Sequence, residues 1–158
     1  MREYLFRGKR KDNGEWIEGY LVEIGKLSFT DAPRYGICNK ALSVHGLDVA
    51  YNVKIPQVIP ETIGQFTGEY DTTKWEELSE AEQQEWFKGD NGLKDKWKGK
   101  RIFEGDITKA QNGHIGYIVF KYGRFIKKCK CHPMAVGSDA YGENEKVIGN
   151  IHDNPELI

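Results

Sequence analysis

Glu104 and Asp106 stand two residues apart in the run Lys100-Arg101-Ile102-Phe103-Glu104-Gly105-Asp106-Ile107. In an extended strand that spacing points both carboxylates the same way, as a cation site or a general acid and base would require. A metal-dependent enzyme is one function this pair suggests. The competing reading is structural: Gly105 marks a turn or bulge, and the acids hydrogen-bond to nearby backbone amides or pair with Lys100 and Arg101. The structural reading is preferred, because a bulged Glu-Gly-Asp is reason enough for such a run. A catalytic pair also needs a third group, for which the sequence offers only His114. No residue is assigned a catalytic role.

Cys129, Cys131 and His132 form a Cys-x-Cys-His run that could hold zinc if Cys38 or another histidine completed the set. The spacing is not that of a Cys-x-x-Cys knuckle, and two thiols on one strand face, buried as small apolar groups, account for it more simply. No metal or other cofactor is expected. Three cysteines, an odd number, make no disulfide framework, so reduced thiols are expected.

Lys121, Arg124, Lys127, Lys128 and Lys130 place five cations in ten residues with no acid among them, and Tyr117, Tyr122 and Phe125 lie alongside. Cations interleaved with aromatics are what single-stranded nucleic-acid surfaces use, phosphates meeting the charges and bases stacking on the rings. The alternative is an edge strand guarded by lysine against aggregation. With 23 basic and 24 acidic residues, the net charge of −1 gives no global attraction to nucleic acid or to an anionic membrane. Phosphate loops, dinucleotide fingerprints, zincin motifs and nucleophile elbows are all missing from the chain.

The elements that must position these residues are mostly strands. A chain of 158 residues with 18 glycines and 12% aromatics fits a turn-rich β protein. Tyr4 to Lys9 and Glu15 to Ile24 read as a hairpin through Asp12-Asn13-Gly14. Lys26 to Thr30 and Tyr35 to Cys38 read as short strands around Asp31-Ala32-Pro33. Asn52 to Ile55 and Gln57 to Phe66 are apolar but interrupted by Pro56 and Pro60, as edge or bent strands are.

Ser79 with Glu82 is a capping box opening a helix to Lys88, with Gly89 as its stop. Trp75, Leu78, Trp86 and Phe87 give that helix a face to bury, and the acids from Glu69 to Glu85 should pair with the bases from Lys88 to Arg101. In the central run, Ile102, Glu104 and Asp106 share one face and Phe103, Gly105 and Ile107 the other. Asn112-Gly113 turns into Ile115 to Lys121, Tyr122-Gly123 turns into Arg124 to Cys131, and Lys146 to Ile151 is the last strand. About five short strands joined by tight turns are the make-up of a small barrel. Ile63-Gly64-Gln65-Phe66 returns in altered form as Ile148-Gly149-Asn150-Ile151, which suggests neighbouring strands that close it.

Ile63-Gly64-Gln65-Phe66-Thr67-Gly68, Gly99 to Ile107, and Val147-Ile148-Gly149-Asn150-Ile151-His152-Asp153-Asn154-Pro155-Glu156-Leu157 resemble signature blocks of YopX-like proteins from bacteriophages and prophages. Arg7-Gly8-Lys9 and Trp16-Ile17-Glu18-Gly19 fit the same pattern. The resemblance implies an SH3-like C-terminal barrel and a phage context, and it carries no activity to transfer. The helix from Ser79 is an insertion relative to many members.

Together these readings predict a mainly β, or β-rich α+β, protein. Residues 1–56 form an N-terminal β region, and residues 57–158 form an SH3-like barrel with a helix at about 79–88. The expected function is binding or assembly through a protein partner or self-association, with single-stranded nucleic acid at Lys121, Arg124, Lys127, Lys128 and Lys130 as the alternative. No apolar run reaches the roughly 20 residues needed to span a bilayer, and the start lacks a signal-peptide core, so the cytoplasm of a bacterial host is the expected location.

Overall fold

Period-two alternation and glycine turns make the chain mainly β, with nine strands and one short α-helix among the described residues. The computed structural model describes residues 4–25, 32–38, 55–88, 93–129 and 145–158. The expected strand at Lys26 to Thr30, the turn at Asp31, the helix stop at Gly89, and Lys130, Cys131 and His132 lie outside them. The chain divides into two compact units, Met1–Phe66 and Thr67–Ile158.

In the first unit β1 (Phe6–Lys9) and β2 (Trp16–Gly25) form the expected antiparallel hairpin. Gly14 at φ +73° supplies the left-handed residue that its turn needs. β3 (Arg34–Cys38) pairs with β2, and the start of β4 (Gly64–Tyr70) pairs with β1. Between them, Gln57 to Ile63 is not a strand. Pro60 opens a 3-10 turn over Pro60–Thr62, and isolated bridges at Gln57 and Val58, with the Lys9 amide donating to the Thr62 hydroxyl at 2.9 Å, hold the segment to its neighbours. A β-carbon on Gly36 would lie 2.6 Å from the Ile55 side chain, so glycine is what lets that segment pack on β3. Ile37, Val58 and Phe66 are the buried centre.

In the second unit the far half of β4 lies beside β5 (Arg101–Phe103). β6 (Asp106–Ala110), β7 (Ile115–Lys121), β8 (Arg124–Cys129) and β9 (Glu145–Asn150) form an antiparallel sheet in the order β8-β7-β6-β9. Ile102, Ile118 and Phe125 pack together with Val147 against them. β4 pairs with β1 and β5 whereas β9 pairs with β6, so the two Ile-Gly blocks are not the adjacent strands their likeness suggests.

Helix α1 (Glu80–Lys88) starts as its capping box dictates. The Ser79 hydroxyl accepts from the Glu82 amide at 3.3 Å, and the Glu82 carboxylate accepts from the Ser79 amide at 2.9 Å and its hydroxyl at 2.7 Å. Lys100 also donates to Glu82, and these contacts, Lys100 foremost, lower the Glu82 carboxyl from 4.5 to about 2. The Trp75 ring meets Phe87 and Trp97 edge-on, and Trp86 meets Trp97 likewise. The acidic and basic stretches pair as expected at Glu76 with Lys94 and Glu82 with Lys100, whereas Glu77 pairs outside the basic stretch, with Lys146 on β9.

Asp71 is the least visible organiser of this unit. Its buried carboxylate accepts from the amides of Thr73, Lys100 and Val147 and from the Thr73 hydroxyl at 2.8–3.0 Å. One side chain thereby ties together the end of β4, the entry to β5 and the middle of β9. The backbone of Asp71 also dictates Gly99, since a β-carbon there would fall 2.0 Å from the Asp71 carbonyl oxygen.

Candidate binding surface

The Glu-Gly-Asp run breaks where its glycine stands. β5 ends at Phe103 and β6 begins at Asp106, with Gly105 at φ +85° in the turn between them. The carboxylates therefore do not share one strand face, and Ile102 and Phe103 are both buried. The Asp106 carboxylate, wholly buried, accepts the Phe103 amide at 2.7 Å, and Glu104 accepts the Phe120 amide at 3.1 Å. The Gly105 amide donates to Ile118 and its carbonyl accepts from Ile151. Each acid caps a backbone donor, which is the structural reading of the sequence. Among the described residues no three His, Cys, Asp or Glu side chains converge as a metal site. A groove of about 310 Å³ in this unit is lined by Thr72, Lys109, Ala110, Gln111, Lys146 and Ile148, and neither acid lines it.

The basic stretch separates into inner and outer residues through the pairing of β7 with β8. Opposite each other are Tyr117 and Lys128, Ile118 and Lys127, Phe120 and Phe125, and Lys121 and Arg124. Period two puts Phe125 and Lys127 on the same face. Lys127 is only 5% exposed and its ammonium donates to both Glu145 carboxylate oxygens at 2.8 and 2.9 Å and to the His114 carbonyl at 2.9 Å. All three of its donors are used, so Lys127 does not belong to a phosphate-facing set.

The path of that side chain explains a glycine. A β-carbon on Gly116 would lie 3.1 Å from Lys127 Cε and 2.8 Å from Cys129 Sγ. The bare backbone of β7 leaves the lysine stem a passage toward Glu145. β8 and β9 are the two outer strands of their sheet, and the ion pair links them.

Lys121, Arg124 and Lys128 are exposed. Lys121 sits 4.8 Å from the Tyr122 ring and Lys128 5.7 Å from that of Tyr117. Tyr122 is 81% exposed and Phe120 49%. The turn between β7 and β8 has positive φ at both central residues, +56° at Tyr122 and +75° at Gly123, the arrangement of a tight hairpin that matches strand twist. Among the described residues Tyr122 is the one non-glycine at positive φ. An aromatic there is strained, where asparagine or glycine would be relaxed. Like charges at Lys121 and Arg124 face each other directly, which costs stability as well.

A profile of the YopX protein family matches residues 73–158, more than half of the chain. The chain belongs to the YopX protein family. The matched span includes α1, the Glu104–Asp106 turn and the β7–β8 hairpin, while the Ile63 block and the opening hairpin lie outside it. The structure of this YopX-family chain is also similar to the crystal structure of protein EF1440 from Enterococcus faecalis, at 21% identity over 99% of each chain and a TM-score of 0.48. No curated protein matches it.

Two features of the YopX-family chain escape a reading by motif. Asp71 binds amides far away in sequence, and no local pattern marks it. The inward turn of Lys127 has a signal in its spacing from Phe125, which the density of lysines around it conceals. The Cys-x-Cys-His run is described only at Cys129, a buried cysteine on β8, and Cys38 is a buried cysteine on β3 of the first unit.

Proposed function

We propose that this YopX-family chain acts by binding and not by catalysis, as a phage or prophage accessory protein whose β7–β8 hairpin contacts a protein partner or a further copy. The supporting observation is the hairpin tip. An exposed, strained Tyr122 is set beside the opposed cations Lys121 and Arg124, an arrangement that lowers stability and has no packing role. The ion pair between the two outer strands of the four-stranded sheet supports an SH3-like barrel as the platform. Among the described residues no helix is long and apolar enough to cross a membrane, which is compatible with work in the bacterial cytoplasm.

A second reading, single-stranded nucleic acid, is favoured by the exposed rings of Phe120 and Tyr122 next to cations. One experiment separates the two. The wild-type chain and an R124E/K128E variant, matched for folding by circular dichroism, serve as bait in lysogenic cells and are titrated with labelled oligo-dT. The expected result is a discrete protein retained by the wild type and lost by the variant, with no oligonucleotide binding. Oligonucleotide affinity that falls by about tenfold or more between 50 and 200 mM salt, the slope expected for about three phosphate contacts, would move the function to the second reading. Identical behaviour of the two baits, with no oligonucleotide bound, would overturn both.

A further inference from the structure

We propose that the β7–β8 tip clamps a carboxylate of the partner protein between Lys121 and Arg124. This rests on the protein-binding reading and names the partner's chemistry, an acidic side chain.

The turn sets the two cations side by side. Lys121 and Arg124 flank Tyr122-Gly123 as directly opposed residues, so they share a strand face with α-carbons about 5.5 Å apart. All four residues of the tip are exposed, and among the described residues neither cation has a salt bridge. An anion that reaches both converts their repulsion into attraction. Arg124 offers a planar fork that a carboxylate meets with both oxygens, and Lys121 adds a mobile ammonium beside it. The Tyr122 ring lies 4.8 Å from that ammonium, and a tyrosine next to an arginine is what the centre of a protein interface favours.

The rest of the hairpin decides between a protein carboxylate and a nucleic-acid phosphate. Single-stranded nucleic acid takes a row of cations along its backbone, with rings on the same side for its bases. Here the row is broken. Lys127 is enclosed with Glu145, and Lys128 stands about 13 Å along β8 from Arg124. Phe120 adjoins Lys121 in β7 and therefore points to the opposite face. Two adjacent cations remain, suited to a single acid and not to a chain of phosphates.

The test follows the Arg124 Nε–H and the backbone amides of the tip by NMR in the full chain. The probes are a capped peptide of alternating Glu and Ala, its Gln-Ala counterpart, and oligo-dT. The Glu-Ala peptide should shift the Arg124 Nε–H and the tip amides, and the Gln-Ala peptide should leave them in place. Lys121→Gln and Arg124→Gln should each weaken Glu-Ala binding by about tenfold or more, and Arg124→Lys by less. Removing either exposed cation relieves repulsion, so these variants keep the fold. An equal response to Glu-Ala and Gln-Ala, no response to either, or undiminished binding by both glutamine variants would overturn the proposal. A tip response to oligo-dT stronger than to Glu-Ala would overturn it in favour of nucleic acid. The bait experiment separates the clamp from the reading beneath it. A partner lost on Tyr122→Ala but retained by Lys121→Gln and Arg124→Gln would refute the clamp alone, and one indifferent to every change at the tip would refute the binding reading with it.

Discussion

Two turns of the second unit each carry charged neighbours: Glu104-Gly105 takes the chain from β5 into β6 of the other sheet, and Tyr122-Gly123 joins the antiparallel pair β7 and β8. At the first, Asp106 and Glu104 hold backbone amides at 2.7 and 3.1 Å, and glycine takes the positive φ. At the second, Lys121 and Arg124 oppose each other without an acid, and a tyrosine takes the positive φ. One turn satisfies its own donors and acceptors. The other leaves charge, aromatic surface and strain facing outward, the features on which the proposed binding role rests. Lys127 and Lys128 repeat the contrast in adjacent positions, one enclosed with Glu145 and the other in solvent.

The largest expected effect is at the enclosed lysine. Lys127→Met leaves Glu145 buried and uncompensated, and should lower the unfolding free energy by about 3–5 kcal/mol, measured by urea denaturation. Replacing both partners, Lys127→Met with Glu145→Leu, should restore most of it. A single variant as stable as the wild type would erase the distinction between Lys127 and its neighbour.

At the first turn, Asp106→Ala orphans the buried Phe103 amide and should cost about 1–3 kcal/mol by the same measurement. A neutral outcome would mean the carboxylate is free for chemistry after all. The smallest effect has the opposite sign. Tyr122→Asn at the second turn relieves an unfavourable backbone conformation and should raise stability by up to about 1 kcal/mol while weakening partner binding. A loss of stability would show that the tyrosine is held by packing, and that the tip is structural like the other turn.

Much of the second unit was legible because its signals are local. Ile115 to Lys121 is a β-branched and aromatic run after the Asn112-Gly113 turn, Tyr122-Gly123 marks its end, and Ser79 with Glu82 sets the start of α1. Glu104 and Asp106 showed their backbone-capping role through Gly105, although alternation alone put them wrongly on one face. Gln57 to Ile63 misled because β-branched content resembles a strand, while Pro60 favours a 3-10 turn that the apolar pattern does not reveal. Asp71 and the Lys127–Glu145 pair were illegible for a common reason. Their partners are fixed by the path of the chain through space, and sequence periodicity carries no information about separations of that length.

Asp71 reaches Val147 across 76 positions and Thr72 reaches Glu145 across 73. During synthesis the helix and the first strands of this unit emerge well before the residues that complete them. A nascent chain halted ahead of Glu145 would hold two charged groups, Asp71 and Lys127, that cannot yet be enclosed. The unit should therefore consolidate late and all at once, when its final strand arrives, and fragments lacking that strand should be cleared by proteases instead of accumulating as a partial fold.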